Sequence, residues 1–267
     1  MQLAVEAEGI ESVQKRTRAK NVVLAPRDLE VIEFILDMKF ASSEEIFEKF
    51  FKVTFANRAA TNDLWAKKRL SQLEQGKFLR SVRAFSEAAR YYIPTLKGYY
   101  ALTQIHPEKF LTKPISGFDQ RTFIHDKIVM KCRLLIESHL KKANWISERK
   151  LKSSTQLSCG LSSLDIPDGV FDHPIWGRVA FELEIAHKNQ ARYSKKVKRY
   201  VQLLRSREIT ENKFDCIVFV CLKATVRERL FRETNLFGPM FKVLSMEEFQ
   251  QEIKGIKNEN DQFISAT

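Results

Sequence analysis

From Pro26 onward the apolar positions fall into helical spacing. Leu29, Ile32, Ile35 and Leu36 lie about one turn apart and predict a first helix. Ser42 or Ser43 caps a short helix over 43–51, with Glu44 and Glu45 in its first turn. A third helix over 59–75 stripes Ala66, Leu70 and Leu73 along one face and stops at Gly76. Segments 78–85 and 90–94 then read as strands, with Tyr91 and Tyr92 favouring the extended form, and the polar link between them suits a hairpin. Thr95 caps the helix that follows.

After a stretch with Pro107, Pro114 and Gly117 the pattern resumes. A helix over 125–140 carries Ile128, Val129, Cys132, Leu135, Ile136 and His139 on one stripe. Segment 145–151 suits a strand. Segments 163–172 and 178–186 suit two more, joined by His-Pro-Ile-Trp-Gly at 173–177. A basic helix covers 190–205, and the apolar run 214–222 reads as a buried strand. A last strand at 241–244 and a last helix at 246–253 complete an α-β-β-β-α-β order, an α+β or α/β fold. The chain thus divides into an arm at 1–24, a first domain at 25–104, a linker at 105–122, a second domain at 123–253 and a tail at 254–267. The arm mixes charges without apolar period, carries Lys15, Arg16, Arg18 and Lys20, and reads as disordered, like the tail.

Charge sharpens this reading. Lys plus Arg number 45 against 33 acids, a net +12, which favours a polyanionic partner. Between Lys52 and Lys97 there are ten basic and three acidic residues, a local balance of +7. Three helices, a hairpin and a helix is the order of a winged helix-turn-helix, whose expected partner is duplex DNA. With Ala66, Leu70 and Leu73 inward, Arg58, Thr61, Lys67 and Lys68 are left outward or flanking, placed for a major groove. Arg80, Arg83 and Arg90 on the hairpin suit backbone or minor-groove contact; a merely solvated basic face is the alternative. Arg69-Leu70, Leu73, Gly76, Phe78 and Arg80, followed by Tyr91-Tyr92, Thr95 and Gly98, resemble winged-helix DNA-binding proteins generally. Cys132, Cys159, Cys216 and Cys221 show no C-x2-C spacing and read as reduced thiols. No apolar run approaches the ~18 residues of a membrane span, so a cytoplasmic protein with no membrane partner is expected.

The candidate chemistry lies in the second domain. Val179, Phe181, Leu183 and Ile185 alternate with Ala180, Glu182, Glu184 and Ala186, so both glutamates share a sheet face. A hairpin folded about Ile175 sets Asp168 opposite Glu182. Asp168, Glu182 and Glu184 can therefore converge. Three close carboxylates raise one another's pKa, which Mg²⁺ or Mn²⁺ would relieve, and such an ion can orient water against a phosphodiester. Lys188, Lys195 and Lys196 are the candidate charge stabilisers. Lys188, Arg192, Lys195, Lys196, Lys198 and Arg199 run without an acid among them, so Lys196 and Lys198 are also candidate phosphate contacts. A solvated sheet face and a solvated basic helix remain the plainer readings. His125 reads as a core histidine, His173 as an exposed turn residue, and Tyr193 and Tyr200 as packing inward.

Ile-Pro-Asp-Gly-Val-Phe at 166–171 and Phe-Glu-Leu-Glu at 181–184 resemble the core of the PD-(D/E)XK nuclease superfamily. That resemblance implies a restriction-endonuclease-like domain with Asp168 and Glu182 on a metal. Glu184 stands where the family carries lysine. The whole chain resembles the replication-relaxation family of plasmid replication and mobilisation proteins, through His125-Asp126, Pro167-Asp168, the strand ending at Glu184, and Lys196 with Tyr200. Ala186 stands where members carry an acid. The family implies a relaxase or replication protein as partner. Two functions stay open: a metal-dependent endonuclease using Asp168, Glu182 and Glu184, and a non-catalytic DNA-binding accessory factor with a degenerate nuclease-like domain.

Overall fold

The protein is described from a computed structural model covering residues 22–53, 59–60, 62–85, 87–117, 119–154, 161, 166–205 and 214–256. It is a mixed α+β structure with two sheets.

Helix α1 (Pro26–Met38) opens with proline at its first position, where no amide hydrogen is missed. The Asp28 carboxylate accepts the Ala25 N–H at 2.6 Å. Strand β1 (Ala41–Ser42) leads into α2 (Ser43–Phe50), which has a capping box: Ser42 and Glu45 accept each other's backbone N–H. Helix α3 (Leu64–Gln75) buries Ala66, Leu70 and Leu73 as their spacing predicts. It does not begin at Ala59, as expected from sequence. Ala59 bridges Val53 in extended pairing, and the helix starts only after Asp63. Strands β2 (Leu79–Arg83) and β3 (Arg90–Pro94) form the hairpin, and β1 adds to β3, giving the order β1-β3-β2. Helix α4 (Leu96–Ile105) follows, its first turn held by the Thr95 hydroxyl accepting the Gly98 N–H at 3.2 Å.

Helix α5 (Phe123–His139) opens the second half. The expected strand at 145–151 is only β4 (Ile146–Ser147). The Ser147 hydroxyl accepts the Lys150 N–H at 3.3 Å and turns the chain into α6 (Glu148–Ser153). Strands β5 (Gly169–His173) and β6 (Gly177–Glu184) form an antiparallel pair. Helix α7 (Gln190–Arg205), strand β7 (Cys216–Cys221), helix α8 (Ala224–Thr234), a 3-10 segment (Asn235–Met240), strand β8 (Phe241–Ser245) and helix α9 (Met246–Gly255) follow among the described residues. Of the strand expected at 163–172, residues 163–165 lie outside the described ones.

The second sheet runs β4-β5-β6-β7-β8, and β6–β7 and β7–β8 are parallel. Parallel neighbours need a crossover, which α7 and α8 supply. Helix α8 was not foreseen from sequence, although Val226 and Leu230 mark its buried face. One sheet face packs Phe171, Phe181 and Val218 with Ile136 of α5 and Phe249 of α9. The other packs Ala180, Ile217 and Phe219 with Tyr193, Val197 and Leu230 of α7 and α8. His173, expected exposed, is buried. Its ring stacks on Trp176 with centroids 3.8 Å apart, and Nδ1 accepts the N–H groups of Ile175 and Trp176. Burial, with the charge of Lys242, pushes its pKa down to about 4.

The two halves share one core that includes Leu29, Tyr91, Phe123 and Phe249. Phe123 stacks on Phe40 at 5.1 Å and meets Tyr91 edge-on at 5.0 Å. Around these rings lie ion pairs from one half to the other: Lys39–Asp126 at 2.8 Å, Lys49–Glu137 at 2.5 Å, Lys150–Asp37 at 3.0 Å and Lys127–Glu87 at 2.6 Å. The stretch 106–117 runs beside α1, with Lys109 on Glu33 at 2.6 Å and the Thr112 hydroxyl on the Leu36 carbonyl at 3.3 Å. Phe123→Ala is expected to cost about 3–5 kcal/mol through the cavity it leaves. Urea denaturation followed at probes in both halves checks this; a loss under about 1 kcal/mol would mean that the ring does not join them.

Candidate functional site

The β5–β6 hairpin pairs Gly169 with Phe181 and His173 with Gly177, the register predicted by a turn centred on Ile175. Gly177 takes φ +70°, and a Cβ there would meet the Asp215 carboxylate at 2.3 Å, so glycine is required at this corner. Asp168 stands one residue before β5, where its Oδ2 accepts the Leu183 N–H at 2.8 Å. Glu182 and Glu184 share the face of Ala180, against α7, and are 3% and 1% exposed.

Burial this deep requires partners. The Lys196 ammonium bridges the two glutamates, 2.6 Å from Glu182 Oε2 and 3.2 Å from Glu184 Oε1. Lys188 closes on Glu184 Oε2 at 2.7 Å. The Tyr200 hydroxyl donates to Glu182 Oε1 at 2.6 Å. At the strand end, His125 Nε2 lies 3.2 Å from Asp168 Oδ2, while its Nδ1 is 3.6 Å from Asp126, which Lys39 holds from α1. Four carboxylates thus face four cations. The His125–Asp168 pair borders a cleft also lined by Lys39, Ser147, Glu148 and Arg149.

The charges respond to this arrangement. Burial and the charge of Asp168 raise the Glu182 carboxyl to about 7 against the pull of Lys196. Asp168 would be raised by burial, but His125, Lys196 and the Leu183 N–H hold it below the usual carboxylate range. For Lys196 burial is outweighed by Glu182, Glu184 and Asp168, so its pKa is raised. Burial also works against charged His125, yet Asp126 and Asp168 lift its pKa to about 10.

The other sequence-predicted residues are placed differently. Lys195 and Lys198 are exposed on α7, while Lys196, considered also for phosphate contact, turns inward. Lys67 pairs with Asp63 at 2.8 Å, and Lys68 lies 5.5 Å over the ring of Trp65. Arg80 is turned to the carbonyls of Ile115 and Ser116. Arg83 and Arg90 are exposed and directly opposed across the hairpin. Arg58 and Thr61 lie outside the described residues. Sequence reasoning gave no role to exposed Trp65 or Phe85. It read His125 as a core histidine; the residue is largely buried, with both ring nitrogens facing carboxylates. The His125-Asp126 pair in the motif was the available signal.

Mg²⁺ or Mn²⁺ does not fit the carboxylates as they stand. The Lys196 ammonium occupies the space between Glu182 and Glu184, and Asp168 is committed to His125 and a backbone N–H. Among the described residues, no group of three or more His, Cys, Asp or Glu is arranged to hold a metal ion. Chemically the site is a set of mutually neutralised charges. Comparison of the chain with family models, with curated proteins and with solved structures finds no match.

Because His125 titrates higher in the folded protein than the 6.5 of a free imidazole, its imidazolium stabilises the fold fully below about pH 6.5. That contribution fades as pH rises through about 10. An NMR titration of His125 is expected to give a midpoint near 10, and His125→Ala to flatten the loss of stability across that window. A midpoint below 7 would contradict the pairing with Asp168.

Proposed function

We propose that the chain is a DNA-binding accessory factor of the replication-relaxation type. In this reading residues 25–104 form a winged helix-turn-helix that anchors duplex DNA. Residues 123–253 form a PD-(D/E)XK nuclease-like domain that contacts DNA or a partner such as a relaxase or replication protein without cutting. The observation that carries it is the Arg83–Arg90 pair. Like charges directly opposed on neighbouring strands repel, and a phosphate relieves that cost. The exposed Lys67 and Lys68 on α3 lie on the same half of the protein. The family reading draws support from the residues of the resemblance. His125, Asp126, Asp168, Glu182, Glu184, Lys196 and Tyr200 meet in one cluster although they come from four parts of the chain.

Non-catalytic use is favoured by the internal neutralisation of that cluster. A second reading, a metal-dependent endonuclease, rests on one observation: the ammonium groups of Lys188 and Lys196 lie within 3.2 Å of the carboxylates, as a charge stabiliser would. Lys195, exposed on α7, is not needed for it. In the non-catalytic reading, calorimetric titration with Mn²⁺ gives the same flat trace for wild type and Glu182→Ala, and supercoiled plasmid stays intact. Nicking with Mn²⁺ that disappears in Asp168→Ala would replace the first reading by the second.

DNA binding is tested on the full chain by fluorescence anisotropy. Affinity for a duplex should fall steeply with salt, and Lys68→Glu should weaken it by about tenfold or more. Arg83→Ala and Arg90→Ala should each reduce the log–log salt slope by about one. Absence of salt-sensitive binding at low ionic strength would end the DNA-binding reading.

A further inference from the structure

The tip of the β2–β3 hairpin holds the most exposed large apolar side chain among the described residues, Phe85 at 96%. A single exposed ring is ordinary. This one is set apart by what surrounds it. Arg83 and Arg90 form the last rung of the ladder directly beneath the tip. The tip is also braced. Ala84 is buried, and the Glu87 carboxylate accepts from Lys127 of α5 at 2.6 and 2.8 Å and from the Tyr91 hydroxyl. A hairpin pinned to the second half of the molecule thus holds a solvent-exposed aromatic ring at its tip, just beyond a rung of two arginines.

Proteins that kink or open DNA use this combination: an apolar side chain inserted beside a base step, with arginines on the adjacent phosphates. Aromatic rings stack on any exposed base face, since every base has one, and the contact is strongest where the base is already unstacked. We propose that the hairpin presents Phe85 as a wedge that stacks on an unstacked nucleobase of DNA while Arg83 and Arg90 hold the flanking phosphates. This rests on the DNA-binding function proposed above and adds its substrate class: duplex interrupted by an unpaired or distorted position. Bracing by Lys127 lowers the ordering cost of insertion, because the tip is held before DNA arrives.

The test uses the full chain and two labelled duplexes of one sequence, one fully paired and one carrying a single unpaired nucleotide. Wild type is expected to bind the interrupted duplex about tenfold more tightly, the scale of one base–aromatic stack. Phe85→Ala should erase that preference and leave the salt slope intact. Phe85→Trp should keep the preference, with its added indole fluorescence quenched by the base. Arg83→Ala should weaken both duplexes alike. Wild type that binds both duplexes equally, or Phe85→Ala that retains the preference, overturns the wedge while leaving DNA binding in place. Wild type that binds neither duplex in a salt-dependent way overturns the DNA-binding reading, and the wedge falls with it.

Discussion

Carboxylates buried at the end of β6 must be neutralised, and much of the molecule is arranged around that requirement. Glu182 and Glu184 sit almost wholly inside the protein, and Asp168 lies at the adjoining strand end. An unpaired buried charge costs several kcal/mol. The cations that meet this need come from both faces of the sheet. Lys196 arrives on α7, His125 arrives on α5, and Lys39 reaches from α1 in the other half to hold Asp126 beside them. Sheet, crossover helix and the junction between the halves are thereby linked through one set of charges.

Buried ion pairs contribute little net stability, since desolvation offsets most of their attraction. Here the pairs define position. Lys196 fits only if α7 crosses behind β6 at one rotation, with Tyr193, Val197 and Tyr200 facing inward beside it. The same rotation leaves Lys195 and Lys198 in solvent. One helix therefore carries both an inward lysine held by the carboxylates and outer lysines that face solvent. The Lys127–Glu87 pair ties the basic hairpin to α5.

Much of the architecture was legible along the chain because local rules decide it. Period-3.6 spacing marked α1 and α7, whose buried faces follow their apolar positions, strand-favouring tyrosines marked β3, and period 2 marked β6, although both faces of β6 are buried. The five-residue turn set the β5–β6 register, and with it the approach of Asp168 to Leu183. Elsewhere a local signal was present but outweighed by its neighbours. Ser147 capped a helix inside an expected strand, and Ala59 paired with Val53 instead of joining α3.

By itself the sequence determined a basic, mixed α+β chain with three carboxylates near one strand pair and arginines along one hairpin. Those are consequences of composition, periodicity and turn length, all readable between near neighbours. Only tertiary structure decided which cations those carboxylates meet. Helical spacing from Tyr193 and Tyr200 puts Lys196, and not Lys195 or Lys198, on the inward side of α7, but it does not say which carboxylates that ammonium meets, nor that Tyr200 and His125 join them. His173, by contrast, is held by near neighbours in its own turn, the stacked ring of Trp176 and the N–H groups of Ile175 and Trp176 aimed at its Nδ1, a geometry that residue type alone does not announce. Side-chain partnership is a property of packing between elements, and the period of one element carries no record of what crosses it.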